Sequence, residues 1–177
     1  MLTYMSQTKH PRLTEDALRH GMRHVPAVVT VVTISGSAGP EGITIGSFVS
    51  LSLDPPLICF NVSRAASIHD RFADASRFII HVLREGQSHL SDRFAIPDLS
   101  GEEQFQDVDY ELDEHGTPVL SDALVTFYCS RSDIQPGGDH SIVIGTVDRV
   151  EEGSPGRPVV YHQRAYHGVG ERVAERI

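Results

Sequence analysis

Residues 28–34 read VVTVVTI, apolar and β-branched at almost every position. Branched side chains crowd a helical turn but sit well on a pleated surface, so this run predicts a strand. Similar runs predict strands at 57–62, 78–83 (FIIHVL), 124–130 and 141–150, with a short one around 159–161. The segment GITIGSFVSLSLDPPLICFNV, 42–62, reads as a strand over 43–52. Its middle then turns at Asp54-Pro55-Pro56, where two prolines remove backbone donors, before the strand at 57–62.

Helical spacing is confined to short stretches. Thr14 is placed to cap a helix with Glu15 and Asp16 in its first turn, running through Leu18 and Met22 and stopping before Pro26. Ser67 is placed to cap a second helix through Phe72 and Ala73. In 86–95, Leu90 and Phe94 fall four apart, on one helical face. GSAGPEG, 36–42, is a turn by composition, and EGSPGRP, 152–158, is a linker. Residues 97–118 form a polar, acidic connection around short elements, and connections of that length often carry function. Residues 1–11 read as a frayed start.

At least six strands are thus interrupted by two or three helices. The helices do not alternate with strands as a doubly wound sheet requires, and no GxGxxG follows a strand. The pattern predicts a mainly β fold, a closed or partly closed antiparallel barrel with helices outside.

With 177 residues the chain suits one domain. A net charge of -9 and no basic stripe argue against a general nucleic-acid grip, though a small phosphate needs only one local patch. Cys59 and Cys129 sit in apolar runs without a CxxC pair, which reads as two buried free thiols. No run reaches the ~18 apolar residues that span a bilayer, and the first ten lack a signal-peptide core, so a cytoplasmic location is expected.

The hydroxyls of the 42–62 segment are its chemical feature. On one strand Thr44, Gly46, Ser50 and Ser52 share a face, and Ser47 takes the other unless a bulge intervenes. Such a row either binds a phosphate or the polar edges of a flat heterocycle, or is a strand's solvated side. Asn61 and Ser67 flank Arg64 at a candidate helix start, which is either a phosphate clamp or plain capping. GGDH, 137–140, is either a hairpin turn or a loop in which Asp139 sets the tautomer of His140. His20 and His24 are spaced four apart without HExxH, which reads as a surface pair and not a metal site. No GxSxG elbow supports a serine hydrolase.

Taken in order, six segments resemble the flavin reductase-like family, whose fold is the FMN-binding split barrel. They are VPAVVTVVTI (25–34), GITIGSFVSLSLDPPL (42–57), RFIIHVLREGQSHLSDRFA (77–95), PVL (118–120), GDHSIVIGTV (138–147) and PVVYHQRAY (158–166). The resemblance covers 14–168 and leaves 1–13 and 169–177 as terminal extensions.

It implies that Thr44, Ile45, Gly46 and Ser47 cradle a flavin's phosphate and ribityl chain, and that Ser50 and Ser52 border its ring. Cys59, Asn61 and Ser67 become cofactor-side positions, and Arg93 reaches toward the phosphate. His140 becomes the catalytic-site histidine, an orienting group beside the ring and the incoming nicotinamide, and Tyr166 closes the pocket. Val28, Ile34, Gly46 and His81 depart from the family's usual residues, which bears on FMN against FAD.

The activity implied is that of a homodimeric NAD(P)H:flavin oxidoreductase. It would reduce FMN or FAD with NADH or NADPH and pass the reduced flavin to a partner monooxygenase. The alternative is a split-barrel protein that retains its flavin and acts in electron transfer or as an oxidase. A non-enzymatic interaction role would predict no flavin binding.

Overall fold

The computed structural model describes residues 13–36 and 39–173. The expected frayed start and the centre of the 36–42 turn lie outside the described residues. The chain runs α1 (Glu15–Met22), β1 (Ala27–Val28), β2 (Thr30–Gly36), β3 (Gly39–Ile45), β4 (Val49–Leu53), β5 (Pro56–Ser63), α2 (Arg71–Asp74), β6 (Arg77–Val82) and α3 (Ser88–Arg93). It continues with α4 (Gly101–Phe105), β7 (Tyr110–Leu112), β8 (Pro118–Leu120), β9 (Val125–Gly137), β10 (His140–Glu152), β11 (Val159–His162) and β12 (Ala165–Gly168).

Seven strands form one antiparallel sheet in the order β3-β2-β6-β9-β10-β5-β4. Its two edges, β3 and β4, are consecutive in the chain and joined only by Gly46, Ser47 and Phe48. Seven flat strands would put those edges about 29 Å apart. A link from Ile45 to Val49 reaches at most about 14 Å. The sheet must therefore curl until its edges meet. There the backbone N–H of Asn61 on β5 donates to Ser47 Oγ at 2.9 Å. This is the partly closed antiparallel barrel with peripheral helices that the strand pattern predicts, and the split barrel that the resemblance implies.

β2 explains why VVTVVTI does not alternate. Val32 and Ile34 face the barrel interior with Phe60, Phe72, Phe78 and Ile80. Val29 and Val31 face the other way, into a second cluster with Leu90, Phe94, Phe105 and Leu120. Buried on both faces, the strand needs no polar side. The two buried threonines spend their hydroxyls on carbonyls: Thr30 on Ile45 (2.8 Å) and Thr33 on Pro118 (2.6 Å). His81, fully buried, donates from Nδ1 to the Val31 carbonyl (3.1 Å) and accepts at Nε2 from the Leu120 N–H (3.0 Å).

Two expectations change. The strand expected at 43–52 is two strands on opposite sheet edges, so Ser50 and Ser52 share no strand with Thr44 and Gly46. The helix expected to start at Ser67 begins at Arg71, after a series of turns, with Asp70 at its N-terminal boundary. The glycine of the GDH segment's strand, Gly145, is there for packing: a Cβ on it would lie 2.3 Å from the Phe78 ring. Other expectations stand. Thr14 Oγ1 caps α1 by accepting from the Ala17 N–H (3.1 Å), and the 97–118 connection carries α4, β7 and the start of β8.

Candidate functional site at the barrel seam

The chain crosses from one sheet edge to the other at Gly46, Ser47 and Phe48, which belong to no strand. A cleft of about 520 Å³ opens there. Thr44, Ile45, Gly46 and Ser47 form one wall, Asn61 and Ser63 of β5 another, and Gly137, His140 and Ile142 of the β9–β10 hairpin the third. No carboxylate lines it, although the whole chain carries a net charge of -9.

Each hydroxyl has a definite role. Thr44 donates its only hydroxyl proton to the Ser91 carbonyl (2.6 Å), and its N–H goes to the Phe94 carbonyl (3.1 Å). It can therefore offer a ligand lone pairs but no proton. Ser47 is the reverse: its oxygen accepts from Asn61 N–H, which leaves its O–H to donate into the cleft. α3 thus positions Thr44, and β5 positions Ser47.

His140 opens β10 at the hairpin tip. Its Nδ1 lies 2.7 Å from Asp139 Oδ1. That contact puts the proton on Nδ1 in the neutral ring and leaves Nε2 as the acceptor. The hydrogen bond to His140 holds the Asp139 carboxyl below the usual carboxylate range. The Asp139 carbonyl in turn accepts from Arg64 N–H (3.0 Å), which brings the Arg64 chain segment beside the cleft. Among the described residues the Arg64 guanidinium has no ion pair or hydrogen bond. Beneath the hairpin, His69 joins Ser141 Oγ (2.9 Å) to Asp70 (2.7 Å). Ser141 is buried and lines no cleft here, so this trio braces the hairpin.

A second cleft, about 370 Å³, shares Thr44, Ile45 and Gly46 with the first. Tyr166 is here. Its hydroxyl donates to Asp92 Oδ1 (2.7 Å) and sits 2.9 Å from Ser91 Oγ, whose proton it accepts. Burial, and then the Asp92 carboxylate, push the phenol above its usual pKa.

The fold therefore gathers Thr44, Ile45, Gly46, Ser47, Asn61 and His140 at one cleft and puts Tyr166 at its neighbour. Five other expected positions lie elsewhere. Ser50 and Ser52 are on the β4–β5 arm, where Cys59 pairs with Val49; burial raises the Cys59 thiol, which disfavours a thiolate. Ser67 lines a separate cleft with Glu41 and Arg71. Arg93 spends its guanidinium on the carbonyls of Gln104 (3.0 Å), Gln106 (3.0 Å) and Glu103, tying down the end of α4. The sequence reading passed over Ser63, Gly137 and Ile142. Ser63 carried a signal, since it shares a strand face with Asn61.

Among the described residues no cluster of three or more metal-ligating side chains occurs, and no helix is long and apolar enough to cross a membrane.

Comparison with known proteins shows the family to which the chain is similar. Residues 22–170 match the flavin reductase like domain. The chain is 40% identical over 129 residues to the FMN reductase (NADH) SmoA of Agrobacterium fabrum, covering 72% of each chain. It is 35% identical over 152 residues to the reductase component of 4-hydroxyphenylacetate 3-monooxygenase of Thermus thermophilus, covering 86% of this chain and 95% of that one. The solved NADH:FAD oxidoreductase SgcE6 of Streptomyces globisporus, bound to NAD and FAD fragments, superposes with a TM-score of 0.82 at 31% identity, covering 90% and 94%.

Proposed function

The chain belongs to the flavin reductase-like family, and on that premise we propose that the seam cleft binds a flavin and that the protein reduces it with NADH or NADPH. One observation carries the reading: a carboxylate-free cleft lined with hydroxyls and an amide, in an acidic protein. An anionic, polar-edged ring system fits those walls, and Arg64, whose backbone is tied to Asp139 beside the cleft, is a cation suited to a phosphate. A flavin bound there would supply the hydride-accepting chemistry.

The chain's own residues do the holding. Ser47 donates a hydrogen bond into the cleft, and Thr44, with its proton already spent, accepts one from a sugar-like hydroxyl. His140, held by Asp139, lines the cleft with Nε2 as its acceptor and would serve to orient a bound ring, not to transfer a proton. In this reading the protein works as a homodimer and releases reduced flavin to a partner monooxygenase; its Thermus thermophilus relative is named as the reductase component of a monooxygenase.

The test is anaerobic mixing of the purified protein with added FMN or FAD and with NADH or NADPH, followed by loss of the flavin's visible colour. Many turnovers of added flavin are expected in at least one of the four combinations. If no combination exceeds the protein-free rate while flavin stays bound through purification, the reductase reading falls and a flavin-retaining role replaces it.

A further inference from the structure

We propose that His69 is a positioning residue for the seam cleft: through Ser141 it fixes where the His140 ring stands, and so sets the affinity of the flavin that this ring orients. The hairpin tip cannot hold itself. Its strands meet at Gly137 and His140, and the link between them is Gly138 and Asp139. Gly138 has a positive φ of 69°, and a Cβ on it would meet nothing within 4 Å. Pro136, Gly137, Gly138 and Asp139 are all exposed. Ser141 is the first buried residue reached from the tip along β10. Side chains alternate along a strand, so Ser141 shares a face with Val143 of the barrel interior, while His140 and Ile142 line the cleft on the other face. Pinning the serine therefore pins the histidine beside it.

His69 does the pinning from a fixed platform. It follows Ile68 and precedes Phe72, both buried in the barrel-interior cluster. Its own N–H donates to the Ala66 carbonyl (3.0 Å). Asp70 Oδ1 lies 2.7 Å from Nδ1, and a carboxylate only accepts, so the proton sits on Nδ1 and Nε2 is the acceptor. Ser141 spends its one hydroxyl proton on that Nε2 (2.9 Å). The same turn segment holds the tip a second time, where the Arg64 N–H donates to the Asp139 carbonyl (3.0 Å). The two tethers land at Asp139 and Ser141, on either side of His140. The Arg64 tether uses backbone atoms alone, so side-chain changes leave it in place. The His69 tether is made by side chains and is the one that substitution can cut. Such supporting contacts are what hold a binding group within about 0.5 Å of its working position. The effect on flavin rests on the proposed reductase reading; the placement of the ring does not.

The test uses Ser141→Ala, His69→Ala and His69→Gln in the full chain, each checked for folding by thermal melting. Either alanine variant cuts the tether, so misfolding of one leaves the test intact. Glutamine places an amide oxygen about where Nε2 stands and can accept from Ser141. Nitrogen–proton correlation spectra of the histidine rings report on His140 directly, its signals being identified by their loss in His140→Ala. The alanine variants are expected to shift the His140 ring signals, and His69→Gln to return them toward those of the unchanged protein. FMN affinity, from fluorescence quenching, is expected to fall about three- to tenfold in the alanine variants and by less in His69→Gln. Either alanine substitution made on top of His140→Ala is expected to cost no further affinity, because a tether that acts through His140 then has nothing left to place. A merely structural brace would cost the same in both backgrounds, and that result overturns the proposal. Unmoved His140 signals in the folded alanine variants overturn it too. If the ring signals move and return as described while the unchanged protein binds no FMN, the positioning stands and the flavin reading falls.

Discussion

Inside the barrel Phe60 meets Phe72 and Phe78 edge-on, at 5.6 and 5.3 Å, and none of the three is more than 1% exposed. At the seam the corresponding positions are Gly46, Ser47, Asn61 and His140, small or polar and open to solvent in part or in full. The first region holds by filled volume. The second holds by a few hydrogen bonds, each of which also sets what its side chain can offer a ligand. The difference teaches that stability and binding are divided between regions. Interior changes are expected to cost stability first, and seam changes to cost affinity first.

The largest expected effect breaks the interior. Phe78→Ala removes a ring from a fully buried cluster and is expected to destabilise by about 3–5 kcal/mol, read from denaturant unfolding. A loss under about 1 kcal/mol would mean the interior is not the tightly packed region described.

His81 gives the next effect, through pH. Burial, partly opposed by its bond to Val31, lowers its pKa to about 4 from the model-peptide value of 6.5. Above pH 6.5 the ring is neutral whether the chain is folded or not. Below it the unfolded chain takes up a proton that the folded one refuses, so stability is lost as pH falls from 6.5 toward 4. The loss amounts to about 3 kcal/mol at most. His81→Asn is expected to lack that slope; the same loss of stability in both proteins across the window would refute the assignment.

The smallest stability effect sharpens the contrast from the other side. Ser47→Ala leaves the Asn61 N–H without its acceptor at a solvent-accessible place, with an expected cost of about 1 kcal/mol. Losing the donated hydrogen bond should nonetheless weaken flavin binding by about tenfold. Unchanged flavin affinity, measured by fluorescence quenching, would remove Ser47 from the site.

Local patterns carried much of this. The β-branched runs marked β2, β5, β6, β9 and β10, because side-chain branching and burial act on each strand where it stands. Thr14 marked the start of α1, and the pair Leu90 and Phe94 marked the buried face of the helix at 88–93. The hydroxyl-bearing segment marked one wall of the cleft. Arg93 shows where such reading stops. Its position in a recognisable segment said nothing of the three carbonyls that α4, ten and more residues away, brings to it.

What the sequence by itself determined is the set of strands and the chemistry available along them, since propensity and side-chain type are properties of neighbours in the chain. What only the tertiary structure decided is where the 43–52 run breaks and what faces the break. Thr44 and Ser50 look equivalent along the chain, yet one ends on β3 beside His140 and the other lies on β4. The physical reason is closure. A short link can join the two edges of a seven-stranded sheet only if the sheet curls, and curling is a property of all seven strands at once.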